Sequence, residues 1–347
     1  MGLALGLGVA LAAAAGVAGV LGGVVAWAGP VDLPRDRGMH HHPTPTSGGL
    51  AILAGASVGA LVFAALAGGH DGQGLARIAA ILGFSGAVGL LGAVDDLFDV
   101  GAKTKLLLQV FVALIYGAVV ARIEAVPLGG GLALPLGPIL GSVGTALWIV
   151  VVTNAVNFMD GANGVAPGAL AVVLGALGVA CLGAGAPALG GLALAGAAAN
   201  LGFLPWNVRG KVFQGDVGAL FTGFLVSAIA VAAAGSNALG PVGLYFAPIA
   251  LLPFLTDVLL TLLLRARRKQ NLLQAHRDHL FQLWLQQTRG SHAALARRVA
   301  TVMLGFGLYA LAVQHAPTGL QPPLFGLALV VAVFGWRAWR RRLEVMG

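Results

Sequence analysis

The sequence specifies an all-α integral membrane protein that crosses the bilayer about eleven times. Three observations lead there. Hydrophobic residues make up 58% of the 347 and charged residues only 9%, where a soluble domain carries about 25% charged. Another 54 residues are glycine, so no soluble fold has interior enough for the chain. The apolar residues also gather into runs of about 20, the length that carries a helix across a bilayer. The alternating pattern of barrel strands is absent, and backbone in lipid must satisfy its own hydrogen bonds. A compact soluble enzyme, a disordered tail and a disulfide scaffold are excluded. The single Cys181 has no partner for an internal disulfide and reads as a small packing residue.

The spans fall near 3–28, 48–67, 77–94, 105–121, 137–156, 165–184, 188–205, 217–234, 242–264, 298–315 and 323–337. The first lacks the basic lead-in of a cleaved signal peptide and is kept as a helix. Between the fourth and fifth, segment 122–136 places two short apolar runs around Gly129-Gly130-Gly131, which predicts a small hairpin. Abundant Gly and Ala inside the spans suits close helix contact. The whole of 1–347 reads as one polytopic domain.

The net charge of +8 records orientation rather than nucleic-acid binding. Loops after odd-numbered spans, with their edges, hold eighteen of the 20 Lys and Arg, leaving only Arg77 and Arg122 opposite. By the positive-inside rule that side is cytoplasmic, which puts the N-terminus outside and the C-terminus inside. The hairpin is then external. Nine of the 12 acids share the basic side, and topology does not account for acids. Concentrated acids on a basic face point to a metal ion and an anionic substrate.

Five segments carry candidates: 29–47, 95–105, 154–168, 206–218 and 265–297. Asp95 and Asp96, with Asp99 close behind, end the third span, where paired carboxylates suit Mg2+ or a plain helix end. Lys105 follows, either snorkelling or holding a phosphate. Asn154, Asn157, Asp160 and Asn163 crowd one turn at membrane depth, beside Gly residues that also favour an ordinary turn. Asn207, Lys211 and Phe213 precede Asp216, which suits either an N-cap or a metal ligand beside a glycine backbone open to phosphate. His276 and His279, spaced to share a helix face, flank Arg277 and suit phosphate oxygens better than zinc. Arg37 and His40, in a Pro-bounded loop, offer groups to an anion.

Side by side, these segments resemble the polyprenyl-phosphate N-acetylhexosamine-1-phosphate transferases of glycosyltransferase family 4, relatives of the phospho-MurNAc-pentapeptide translocase. The likeness covers roughly residues 30–285 in five ordered blocks. These are Asp32-x-Pro34-x-x-Arg37-x-x-His40-x-x-Pro43-Thr44-Pro45 with Gly48-Gly49, and Asp95-Asp96 with Lys105 and Gln109. Asn154-x-x-Asn157-Phe158-Met159-Asp160-Gly161 is the third. Phe203-Leu204-x-x-Asn207 with Lys211-x-Phe213-x-Gly215-Asp216-x-Gly218 is the fourth, and Ala275-His276-Arg277-x-His279-Leu280 the fifth. The last looks like the O-antigen or surface-polysaccharide branch. Asn163, Gln214 and Ala219 depart from the family's usual Asp, Met and Ser.

The resemblance implies an enzyme of the bacterial inner membrane with a cytoplasmic-face site. A UDP-N-acetylhexosamine would give its sugar-1-phosphate to undecaprenyl phosphate, releasing UMP and starting a surface glycan. Mg2+, with Mn2+ able to substitute, would be held by Asp216 with Asp96 and Asp160, while Asp95 and Asp96 position or deprotonate the lipid phosphate. Asn154, Asn157, Asp160, Asn163, Asn207, Lys105, Lys211 and Phe213 would line the donor site, with His276, Arg277, His279, Arg37 and His40 near phosphate or sugar. Family analogy also implies a homodimer. Two rivals stand: an intramembrane aromatic prenyltransferase built on Asp95-Asp96-x-x-Asp99, and a lipid or ion transporter, for which Asp257 is the one acid inside a span.

Overall fold

A computed structural model describes residues 2–32, 43–66, 72–235, 240–272, 276–288 and 290–346. Eleven of its helices are long and apolar enough to cross a membrane. They are α1 (Leu3–Ala28), α2 (Gly49–Leu66), α3 (Gly72–Phe98), α4 (Ala102–Val119), α5 (Gly137–Met159) and α6 (Val165–Gly183). After these come α7 (Pro187–Val208), α8 (Gly215–Ala234), α9 (Phe246–Arg267), the short α10 (Leu280–Thr288), α11 (His292–Gln314) and α12 (Gln321–Met346). Every expected span has its helix, but α3, α5 and α8 extend beyond theirs. Asp95, Asp96, Asn157 and Asp216 thereby sit on helical end turns rather than in loops. The short α10 was not expected from the sequence.

The bundle is organised around α8. Every residue from Val217 to Ala234 is buried, with α2, α3, α5, α6, α7 and α9 packed about it. Such a helix must be apolar on all faces; its one charged residue, Asp216, sits in the first turn. α1 meets α2 and α7 through a stripe of small residues, Gly6, Ala10, Ala14, Ala18 and Gly22. A Cβ on Gly202 would stand 2.2 Å from the Ala15 carbonyl oxygen, so backbones touch where side chains would prevent it.

The hairpin at 122–136 is present. Strands β3 (Ala125–Gly129) and β4 (Leu132–Pro135) pair antiparallel, and Gly129, Gly130 and Gly131 take the positive φ that the turn needs. A second pairing sets β1 (Val31–Asp32) against β2 (Thr44–Pro45). Beyond β2 the chain is sewn to the segment before α8: Phe213 N–H donates to the Pro45 carbonyl, Gly48 N–H to Phe213 and Gly49 N–H to Gln214. These bonds hold the N-termini of α2 and α8 side by side.

Candidate active site

The central helix opens onto a cluster of charge. Asp216, in the first turn of α8, accepts from Asn157 Nδ2 at 2.8 Å through Oδ1 and from the Lys105 ammonium through Oδ2. Lys105 also donates to Asp95 at 2.6 Å. Asp96 accepts the Asp216 backbone N–H at 3.1 Å. Four helices, α3, α4, α5 and α8, thus place three carboxylates, an ammonium and an amide at one point. It is accessible: the Lys105, Asp95 and Asp216 side chains are 16%, 15% and 25% exposed.

α8 has no side-chain cap of its own; the residue before it is Gln214. Asp96 supplies the acceptor from α3, at the positive end of the helix dipole. The N-cap reading of Asp216 is therefore corrected: Asp216 lies inside the first turn, and its side chain is free for the cluster. Glycines also set how closely these helices approach. A Cβ on Gly49 would lie 2.1 Å from the Gly218 nitrogen, and one on Gly92 would lie 2.5 Å from the Asp216 carbonyl carbon. Their absent side chains let α2 and α3 close on α8 and bring Asp96 to Asp216.

Asp160 follows α5 directly. Burial, and then the nearby charges of Asp216 and Asp96, hold its carboxyl well above the usual carboxylate range. Among the described residues no three His, Cys, Asp or Glu form a metal cage by themselves. Mg2+ does not need one, since it takes one or two carboxylates and completes its shell with water and phosphate oxygens. Three carboxylates against one ammonium leave negative charge to balance, and Asp96 Oδ2 is buried without a hydrogen-bond partner. The residues fit the ion.

Other expected site residues divide by what they touch. Asn154 Nδ2 donates to Gln109 at 2.6 Å, tying α5 to α4. Asn207 is 3% exposed; it accepts from Gly164 N–H at 2.6 Å and donates to the Val212 carbonyl at 3.0 Å. Its amide staples two loops together. The backbone N–H of Asn163 donates to His292 Nδ1 at 3.1 Å. Lys211 is exposed and Phe213 half-buried. Asp99 is exposed, at φ 51° beyond the end of α3, outside the bonded cluster that a three-aspartate prenyl-diphosphate site requires. Arg37 and His40 lie outside the described residues.

His276, Arg277 and His279 precede α10 in irregular chain with a bend at His279, so the shared helix face is corrected. The two rings meet nonetheless, 4.8 Å between centroids. His279 also lies 5.9 Å from Phe158, the neighbour of Asn157, and 6.0 Å from Phe281. A Cβ on Gly161 would touch Phe281 at 2.9 Å. The histidine segment is thus packed on the turn that carries Asn157 and Asp160. Burial pushes both imidazoles down to about 4, so at neutral pH they are uncharged hydrogen-bonding groups.

The profile of glycosyl transferase family 4 matches residues 78–234, a stretch that holds the whole carboxylate cluster. The chain is 30% identical over 332 residues to the decaprenyl-phosphate N-acetylglucosaminephosphotransferase of Mycolicibacterium smegmatis, covering 88% of this chain and 80% of that protein. It is 34% identical over 212 residues to the probable undecaprenyl-phosphate N-acetylglucosaminyl 1-phosphate transferase of Bacillus subtilis, covering 58% of this chain and 55% of that one. A phospho-N-acetylmuramoyl-pentapeptide-transferase of Synechococcus is 37% identical over 215 residues, 57% of this chain and 59% of its own. The chain thus spans little more than half the length of the latter two relatives.

Proposed function

The chain belongs to glycosyl transferase family 4, and from that premise we propose that it transfers an N-acetylhexosamine-1-phosphate from a UDP-sugar to undecaprenyl phosphate. The acceptor phosphate oxygen bonds to the sugar-bearing phosphorus, the bond from that phosphorus to the UMP oxygen breaks, and UMP leaves. The product is an undecaprenyl-diphosphate-linked sugar that initiates a surface glycan. N-acetylglucosamine is the first donor sugar to test, because the Mycolicibacterium and Bacillus relatives are named for it. The observation that carries the reading is the convergence of Asp95, Asp96, Asp216, Lys105 and Asn157 from four helices.

Donor and acceptor are both anions and repel. Lys105, already held between two carboxylates, is a cation that can turn to a phosphate oxygen without crossing the site. Asp216, Asp96 and Asp160 would hold Mg2+, which when bound would neutralise the diphosphate and the departing UMP. Asp95 and Asp96 orient the lipid phosphate. Its second pKa is near 6, so alignment matters more than proton removal. Asn157 fixes the rotamer of Asp216. The neutral imidazoles of His276 and His279 hydrogen-bond phosphate or sugar oxygens. The cluster faces the cytoplasm of the bacterial inner membrane, on the side where basic residues concentrate.

The test is purified full-length protein with undecaprenyl phosphate, Mg2+ and a panel of UDP-N-acetylhexosamines, assayed for UMP. Release that depends on both the lipid and the metal supports the reading. No release with any donor overturns it.

A further inference from the structure

Asp257 lies inside α9, 3% exposed. A carboxylate buried within a span is costly unless its oxygens are well satisfied. Here every partner is a donor. Leu280 N–H reaches both oxygens, at 3.0 and 3.1 Å, Trp336 Nε1 of α12 donates at 2.9 Å, and Thr261 Oγ1 lies 3.4 Å away. His279 Nδ1 is 3.8 Å from Oδ2. An acceptor-only group matches this set.

One turn further along α12, Arg340 donates to the Asp278 carbonyl at 3.0 Å, its guanidinium 5.3 Å from the Trp336 ring. Arg265 of α9 donates to the Asp278 carboxylate at 2.5 Å and to the Asn271 carbonyl at 2.9 Å. Asp278 and Leu280 are therefore gripped from two helices, on either side of His279. That grip ends on the histidine segment, whose rings lie against Phe158 and each other. Both ring nitrogens of His279 lack a hydrogen-bond partner, so the segment is anchored through Asp278 and the Leu280 N–H while the His279 ring nitrogens stay unspent.

We propose that Asp257 is a positioning residue for the transfer reaction, acting with Trp336 and Arg340 to present His276 and His279 to the donor. The last helix, which carries none of the sequence motifs, is then part of the active-site framework. The inference rests on the transfer reading above.

The experiment uses the full-length protein in nanodiscs with the UDP-sugar that the wild type turns over. Trp336→Phe keeps an aromatic ring, though a smaller one, and removes the N–H donor; Asp257→Asn keeps an acceptor oxygen, and Asp257→Leu removes it. Expected is a fall in kcat/KM for the donor of roughly 10- to 100-fold in Asp257→Leu, the scale of a misplaced contact group. Asp257→Asn should recover part of the loss, and Trp336→Phe should fall between it and the wild type. The KM for undecaprenyl phosphate should stay unchanged throughout. If Asp257→Leu does not fold, Trp336→Phe decides. Wild-type donor kinetics in the folded variants, or equal losses for donor and lipid, overturn the proposal. A wild type that releases no UMP instead overturns the transfer reading itself.

Discussion

Asp96 of α3 accepts the backbone N–H of Asp216 at 3.1 Å, so one acid caps the helix that carries the other. Cap and cluster share the Asp96 carboxylate: Oδ1 holds the start of α8 and Oδ2 is buried without a partner. Replacements should separate these uses. Asp96→Ala loses both, with about 1 kcal/mol of cap stability and at least about 100-fold in turnover. Asp96→Asn keeps an oxygen for the N–H but loses the charge, so its melting temperature should stay near the wild type while turnover falls as far. Thermal melts in detergent beside UMP release test this; equal melting temperatures for the two variants would remove Asp96 as the cap.

Lys105 balances part of the charge of Asp95 and Asp216. Lys105→Met leaves three carboxylates together with no cation, and a divalent ion should then bind more tightly than in the wild type. Turnover should fall because the phosphates lose a partner. Titration with Mn2+ followed by electron paramagnetic resonance reads the affinity directly. Unchanged or weaker binding would show that the ion does not sit among these carboxylates.

The spans and the acid-rich helix ends were legible in the sequence because both signals are local. A run of about 20 apolar residues marks a helix wherever it packs, and Asp95, Asp96 and Asp216 stand out from the bland residues around them. What escaped notice depends on approach between distant segments. Gly49 and Gly218 are 169 positions apart in the sequence and nearly touch, yet each alone looks like any of the 54 glycines. Trp336 and Arg340 belong to no sequence motif, and their use shows only when Asp257 and Asp278 are placed against them. Asn207 matches a motif position but spends its amide on loop backbone, a distinction that residue type cannot carry.

The histidine pair sets a pH dependence of stability. In the folded chain both imidazoles titrate near 4 against an ordinary 6.5, because burial disfavours the charged ring. The charged groups facing them are Asp257, Asp278, Arg265 and Arg340. With depressed folded values, neither state binds protons above about 6.5. Below it the unfolded chain takes up protons that the folded chain refuses, so stability falls from pH 6.5 towards 4 and then levels. The melting temperature of the wild type should drop over that window, and His276→Gln with His279→Gln should flatten the drop. An identical slope in the double variant would exclude the pair as its source.

Gly92 offers a test of the cluster that touches none of its polar groups. It sits on α3 one turn before Asp96, buried, and a Cβ there would lie 2.5 Å from the Asp216 carbonyl carbon and oxygen and 2.7 Å from the Val217 nitrogen. Those neighbours are backbone of a fully enclosed helix and cannot swing aside as a flexible side chain would. Gly92→Ala should therefore push α3 away from α8, costing about 1–3 kcal/mol in overpacking, and lengthen the bond between Asp96 and the Asp216 N–H. Gly86, on the same helix, has nothing within 4 Å of its would-be Cβ, so Gly86→Ala is the matched control and should gain slightly from helix propensity. Turnover should drop steeply in Gly92→Ala while Gly86→Ala stays at the wild-type rate. If Gly92→Ala keeps full turnover, the approach of α3 to α8 is not what assembles the carboxylates.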